Sequence, residues 1–302
     1  MMNPWTRHYF GMVFREHFFR TQGDEFQKFF GKIMNTRYPG DFTQIRPWGI
    51  LGDDKCDGYL PSQRKFYQCY APNDLKQADT IKKLNEDFSG ALPFQKQYFD
   101  NWIFVHNARD GRLPSWLTFE LTRLRRSHPS VKIETLGLVE LQKIVLELEQ
   151  SQLVDIFGPF PSLEDVLAVQ FKDVQPLLDY LAHQAKSSDA IPGLVSPKKL
   201  EYNELSEDVK YYLLHGMIKS GVVRNYLDQH PDKELASRVT NAFHDEYSRL
   251  KQKKFDAATV FYELRIFTQG PFTQSAQTEG AVLAVLAYLF EECDIFENPP
   301  DR

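Results

Sequence analysis

The sequence predicts an α/β domain over residues 1–157, a helix and linker over 158–197, and an all-α domain over 198–302. Three observations predict this. Apolar residues recur at helical spacing, then give way to short alternating segments punctuated by Pro, Gly and Asp. Strand signals stop after Phe157-Gly158-Pro159-Phe160-Pro161. From Ser206 onward every segment has helical character, and the stretch 187–197, SSDAIPGLVSP, is the best linker candidate.

In chain order, Tyr9, Met12, Val13, Phe14 and Phe18 define a helix over 5–20. A second helix starts near Asp24, runs through Phe26, Phe29, Phe30 and Ile33, and stops before Tyr38-Pro39-Gly40. Strands are expected over 42–46, 55–60 and 65–71, then a helix over 74–88 and a strand over 102–105. A helix near 115–126, a strand over 131–136 and one helix over 138–155 complete the α/β pattern. Helices follow near 174–186 and over 207–228, 232–252, 256–268 and 275–293.

Composition narrows the function classes. The chain has 302 residues, is 42% hydrophobic and carries a formal net charge of -5, which excludes a protein that coats nucleic acid through bulk charge. A local basic patch remains compatible with nucleic-acid contact. Cys56, Cys69 and Cys293 form neither a disulfide framework nor a CxxC pair and are read as reduced thiols of a cytoplasmic protein. The apolar run 280–290 is too short to span a bilayer, and the first residues lack the continuous apolar core of a signal peptide. The histidines show no HExxH spacing, and no GxxxxGK[ST] loop is present, so an ATPase must be a different chain.

The stretch with chemical content is Trp48-Gly49-Ile50-Leu51-Gly52-Asp53-Asp54-Lys55-Cys56-Asp57-Gly58-Tyr59, followed by Lys65-Phe66-Tyr67-Gln68-Cys69-Tyr70. A hairpin turning symmetrically about Ser62-Gln63 places Asp57 opposite Gln68, Cys56 opposite Cys69 and Lys55 opposite Tyr70. Side-chain alternation then gathers Lys55, Asp57, Gln68 and Tyr70 on one face, with both cysteines buried on the other. A carboxylate and an amide carbonyl are the oxygen ligands that Mg²⁺ or Mn²⁺ prefers, and a lysine can steady charge developing on phosphate. The bland reading treats Gly52-Asp53-Asp54 as a turn and Gln68 as a partner for backbone groups.

An Asp on one strand followed by (D/E/Q)-x-K on the next resembles the PD-(D/E)XK nucleases. The "GD…DG" and "QC" forms here are similar to Mrr-like restriction enzymes. The resemblance implies a restriction-endonuclease-like fold over about 1–155, with Asp57 and Gln68 as metal ligands and DNA as substrate. Tyr70 stands where that family carries its lysine. Lys55 would substitute from the opposite strand, and Glu16, or less well Glu25, would add a carboxylate from the helices before the sheet. A second resemblance is carried by Ala281-Val282-Leu283-Ala284-Val285-Leu286-Ala287-Tyr288-Leu289-Phe290-Glu291-Glu292-Cys293-Asp294-Ile295-Phe296-Glu297-Asn298-Pro299 and by segments within 200–230. It is similar to the helical domain of prokaryotic ABC-three-component conflict systems. This implies an effector or sensor-effector subunit in anti-phage defence. Its partners would be an SMC-like ABC ATPase, a small middle component and further copies of the chain.

Two functions stay open: a metal-dependent DNA endonuclease, and a catalytically degenerate adaptor that binds DNA or a partner. Elsewhere, Arg123, Arg125, Arg126 and His128, and likewise Lys251, Lys253 and Lys254, fit solvated helix ends. His106 and Asn107 end an apolar strand, where they can line a cleft at the carboxyl edge of the sheet, although such residues more often bond to the adjacent loop. The near-continuous apolar run of the last helix marks it as buried.

Overall fold

The computed structural model describes residues 2–45, 56–73, 75–108, 112–185, 205–253 and 255–292. It divides into an α/β unit, Val13–Ile156, and a helical unit made of Met1–Met12 and Phe157–Arg302. Helix α1 (Pro4–Arg20) therefore supplies its first half to one unit and its second half to the other.

In the α/β unit, α2 (Gly23–Arg37) is followed by β1 (Thr43–Gln44), β2 (Gly58–Leu60) and β3 (Lys65–Tyr70). Then come α3 (Gln77–Ala91), the single turn α4 (Gln95–Tyr98), β4 (Asn101–His106), α5 (Ser115–Ser127) and β5 (Lys132–Leu136). Helices α6 (Leu138–Leu146) and α7 (Gln150–Phe157) close it. The expected single helix over 138–155 is broken because the Glu149 amide donates to Gln152 Oε1, capping a new helix.

The strands lie in sequence order. β1, β2 and β3 pair antiparallel, while β3, β4 and β5 run parallel. The two parallel steps each need a helical crossover, which α3 and α5 provide. Both helices bury apolar residues with Phe66, Trp102, Phe104 and Ile133 in one core cluster. On the other face Phe30 of α2 and Phe42 pack against Tyr67. The β2–β3 turn places Arg64 in the left-handed region at φ 50°. Its guanidinium holds Asp100, at 2.7 Å, just ahead of β4.

The helical unit contains α8 (Leu163–Ala168), α9 (Phe171–Gln184), α10 (Glu207–Gln229), α11 (Leu235–Gln252), α12 (Ala257–Gln269) and α13 (Ala276–Glu292). Side chains of Ser162, Ser206 and Asp256 accept from amides of the first turns of α8, α10 and α12. The helical unit takes up the chain again at Phe157, and 158–185 is no connector. Helices α8 and α9 pack on α13, and α9 also packs on α11. Residues 1–12 belong here too: Trp5 donates to the Pro161 carbonyl at 2.6 Å and stacks on His215 at 4.5 Å. The linker candidate 187–197 lies outside the described residues.

α13 is buried from Glu279 to Phe290 and packs against α8, α9, α10 and α12. Glu279 forms a 2.6 Å ion pair with Arg265 of α12, both almost fully buried, and also accepts from the Tyr9 hydroxyl. Gly216 lets α10 and α13 approach closely. A Cβ there would stand 2.5 Å from the Leu283 carbonyl oxygen and 2.7 Å from Ala287 Cβ. No helix among the described residues is long and apolar enough to cross a membrane.

Two glycines of α10 make opposite predictions. Gly216→Val should destabilise the protein by about 1–3 kcal/mol through overpacking. Gly221→Ala, exposed and with nothing within 4 Å of its added Cβ, should stabilise it by roughly 0.5–1 kcal/mol. Urea denaturation of the two variants measures both.

Candidate functional site

The start of β2 and the ends of β3 and β4 lie at one edge of the sheet, because β2 runs antiparallel to β3 while β3 and β4 run parallel. That edge holds Asp57, Gln68, Tyr70, His106 and Asn107. The β2–β3 register is the expected one: Gly58 stands opposite Tyr67, Tyr59 opposite Phe66 and Leu60 opposite Lys65. Its continuation past Gly58 is not. The Asp57 amide donates to the Tyr67 carbonyl at 2.8 Å, so two residues of one strand stand against one of the other, a bulge.

This bulge corrects the expectation that Asp57 and Gln68 share a face. The Asp57 carboxylate is turned toward α2, where Oδ1 accepts from Gln27 Nε2 at 2.7 Å. Oδ2 accepts from the Cys69 amide at 2.6 Å. Gln68, alternate to Tyr67, lies on the side of α3 and α5. It is 4% exposed, and among the described residues its Oε1 has no hydrogen-bond partner. Gly58 is required in the bulge because any Cβ would collide with the Phe42 ring.

The other expected site residues divide in the same way. Tyr70, in the lysine position, bonds through its hydroxyl with Thr80 Oγ1 of α3 at 3.2 Å and stacks on Phe104. Glu16 is buried and lies 3.7 Å from Arg20, one turn along α1. Glu25 is exposed and pairs with Lys28. Lys55 lies outside the described residues.

The cysteines depart from expectation in part. Cys56 is buried in the cluster beneath α3 and α5, whereas Cys69 alternates to the α2 side. Burial, reinforced by the neighbouring Asp57 carboxylate and, less strongly, by Cys56, pushes the Cys69 thiol well above its ordinary range. Among the described residues neither forms a disulfide.

These donors do not suit a divalent ion. Both Asp57 oxygens already accept from N–H groups, and Gln68 lies across the sheet from them. Among the described residues, no group of three His, Cys, Asp or Glu side chains is arranged to hold a metal.

The carboxyl edge does form a cleft where His106 and Asn107 suggested one. A cavity of about 470 Å³ is lined by Phe19 and Gln22 from the α1–α2 junction and by Pro72, Asn73 and Leu75 after β3. Asn107, Ala108, Arg112 and Pro114 after β4 complete it. Asn107 is on its wall, its Nδ2 held by the Thr21 carbonyl at 3.1 Å. His106 stands behind it, 5% exposed, with Nδ1 accepting from the Ala108 amide at 3.2 Å. Burial lowers the His106 pKa from 6.5 to about 4, against a smaller opposing effect of Glu140. The ring is therefore neutral at pH 7. Sequence reasoning missed Gln27, whose role depends on a bulge that no local signal marks.

In the helical unit, the buried α13 at the centre of packed helices is the feature that the comparisons place. Residues 172–297 match C-terminal domain 10 of the ABC-three component (ABC-3C) systems. No curated protein and no solved structure matches the chain. The ABC-3C match begins within α9 and takes in α10 to α13, in keeping with the packing of α9 on α11 and α13. It supports the expected ABC-three component relationship and does not reach the α/β unit.

Two measurements test the site's electrostatics and packing. The unfolded chain binds a proton on His106 below about pH 6.5 that the folded chain refuses until about pH 4. Its contribution to stability is complete above pH 6.5 and falls away as pH drops toward 4, by about 3 kcal/mol at most. Urea denaturation across this range should show a shallower decline for His106→Gln than for the parent. Tyr70→Lys, rather than restoring a catalytic lysine, should lower the melting temperature, because it places a charge against Phe104 and removes the bond to Thr80.

Proposed function

We propose that the chain is a subunit of a prokaryotic defence complex whose α/β unit binds nucleic acid or its components without cutting. The match of residues 172–297 to an ABC-3C domain supports the defence setting and a multi-subunit assembly. The observation that carries the non-cutting reading is the engagement of Asp57 by Gln27 and the Cys69 amide. A carboxylate so occupied anchors the bulge and the α2 contact. Tyr70, a phenol bonded to Thr80, supplies no positive charge.

Assembly is assigned to the helical unit. It leaves Leu214 and Ile218 exposed one turn apart on α10, and Leu163 and Leu167 likewise on α8. Apolar pairs at this spacing suit docking of another protein's helix. The partners proposed are an SMC-like ABC ATPase and a small middle component, with DNA reaching the α/β unit.

The rival is the nuclease reading, with Asp57 and Gln68 on Mg²⁺ or Mn²⁺ and Lys55 and Glu16 assisting. Phage challenge and DNA cleavage with the assembled complex separate the two. Lys55→Ala should leave defence intact, and no Mg²⁺-dependent cleavage should be traceable to this chain. A loss of cleavage by about 10²-fold or more, the scale of removing one electrostatic donor at a reacting phosphate, would give the site to the nuclease.

A further inference from the structure

We infer that the cavity at the carboxyl edge of β3 and β4 is a nucleotide-binding pocket. It would take a nucleoside monophosphate, free or as the 5′-terminal residue of a strand. The inference deepens the reading of the α/β unit as a binding module and rests on it.

The lining supplies three kinds of contact. Arg112 is exposed on the cavity wall and, among the described residues, makes no ion pair or hydrogen bond. A guanidinium so placed suits a phosphate, which it can engage through two parallel N–H donors. Phe19 offers a ring on which a base can stack. Gln22, Asn73 and Asn107 offer amides. Asn107 is the oriented one: the Thr21 carbonyl takes its Nδ2, so its Oδ1 is left to accept from a ligand. Pairing of one cation with a ring and several amides fits a phosphorylated heterocycle better than a bare anion or an apolar molecule.

The backbone adds a directional field. Pro114 on the wall is the N-cap of α5, whose first turn carries no acidic residue and no side-chain cap. The positive end of that helix therefore reinforces Arg112. Gln22, also in the lining, is the N-cap of α2, but Asp24 and Glu25 occupy its first turn and counter its dipole. The phosphate accordingly belongs at the Arg112–Pro114 end and the base toward Phe19 and Asn107. The volume, about 470 Å³, lies in the range of small-molecule sites and suits one nucleotide.

Titration calorimetry on the full chain tests this with dAMP, dCMP, inorganic phosphate, and short oligonucleotides bearing either a 5′-phosphate or a 5′-hydroxyl. A nucleoside monophosphate should bind, inorganic phosphate at least tenfold more weakly, and Arg112→Glu should cost tenfold or more. Asn107→Ala should weaken nucleotide but not phosphate, and its thermal melt reports whether the fold survives. Tighter binding of the 5′-phosphorylated oligonucleotide assigns the pocket to strand ends. Binding of the free nucleotides alone assigns it to a soluble ligand. Absence of binding by every nucleotide, equal affinity for phosphate, or indifference to Arg112→Glu would overturn the pocket. Failure of the defence reading shows separately, in phage challenge and partner capture, and leaves these titrations unchanged.

Discussion

Helix α13 is buried at every position from Glu279 to Phe290, so it has no face to present to solvent and must be covered all round. This requirement organises the helical unit. It recruits α8 and α9, which sequence order assigns to a connector, and it draws α10 in until Gly216 meets the α13 backbone. The one acid in the buried stretch, Glu279, is held by Arg265 and Tyr9. A buried pair of this kind adds little net stability, but loss of either partner strands a charge in a dry interior. The pair thus restricts how α12 and α13 can be set against each other.

In the α/β unit the corresponding constraint is the bulge at Asp57 and Gly58. One extra residue opposite Tyr67 rotates the Asp57 carboxylate to the α2 side, where Gln27 and the Cys69 amide satisfy it. A buried carboxylate needs such donors. The same step parts it from Gln68 and dissolves the cluster that strict alternation along the strands would build. What the edge retains is shape: the parallel strands end together, helices begin beside them, and a polar cleft opens between.

The match to an ABC-3C C-terminal domain lies in the helical unit, while the α/β unit presents a cleft with a cation, a ring and the oriented amide of Asn107. Neutral His106, packed behind the cleft, steadies the Asn107–Ala108 segment through its bond to the Ala108 amide and adds no charge of its own.

Much of this was legible in the residues. Helical periodicity and turn residues determined most elements, the β2–β3 register and the buried character of α13, because these depend on local spacing and on the period of apolar side chains. The resemblance of 281–299 to an ABC-three component ending was equally a property of the residues, and the match to 172–297 agrees with it. Only the tertiary structure decided that residues 1–12 and 158–185 pack with the helical unit, since burying α13 is a long-range demand. Only it decided the face of Asp57, because a bulge arises from packing between strand and helix, here Phe42 over Gly58 and Gln27 over Asp57, and not from the pattern of either strand alone.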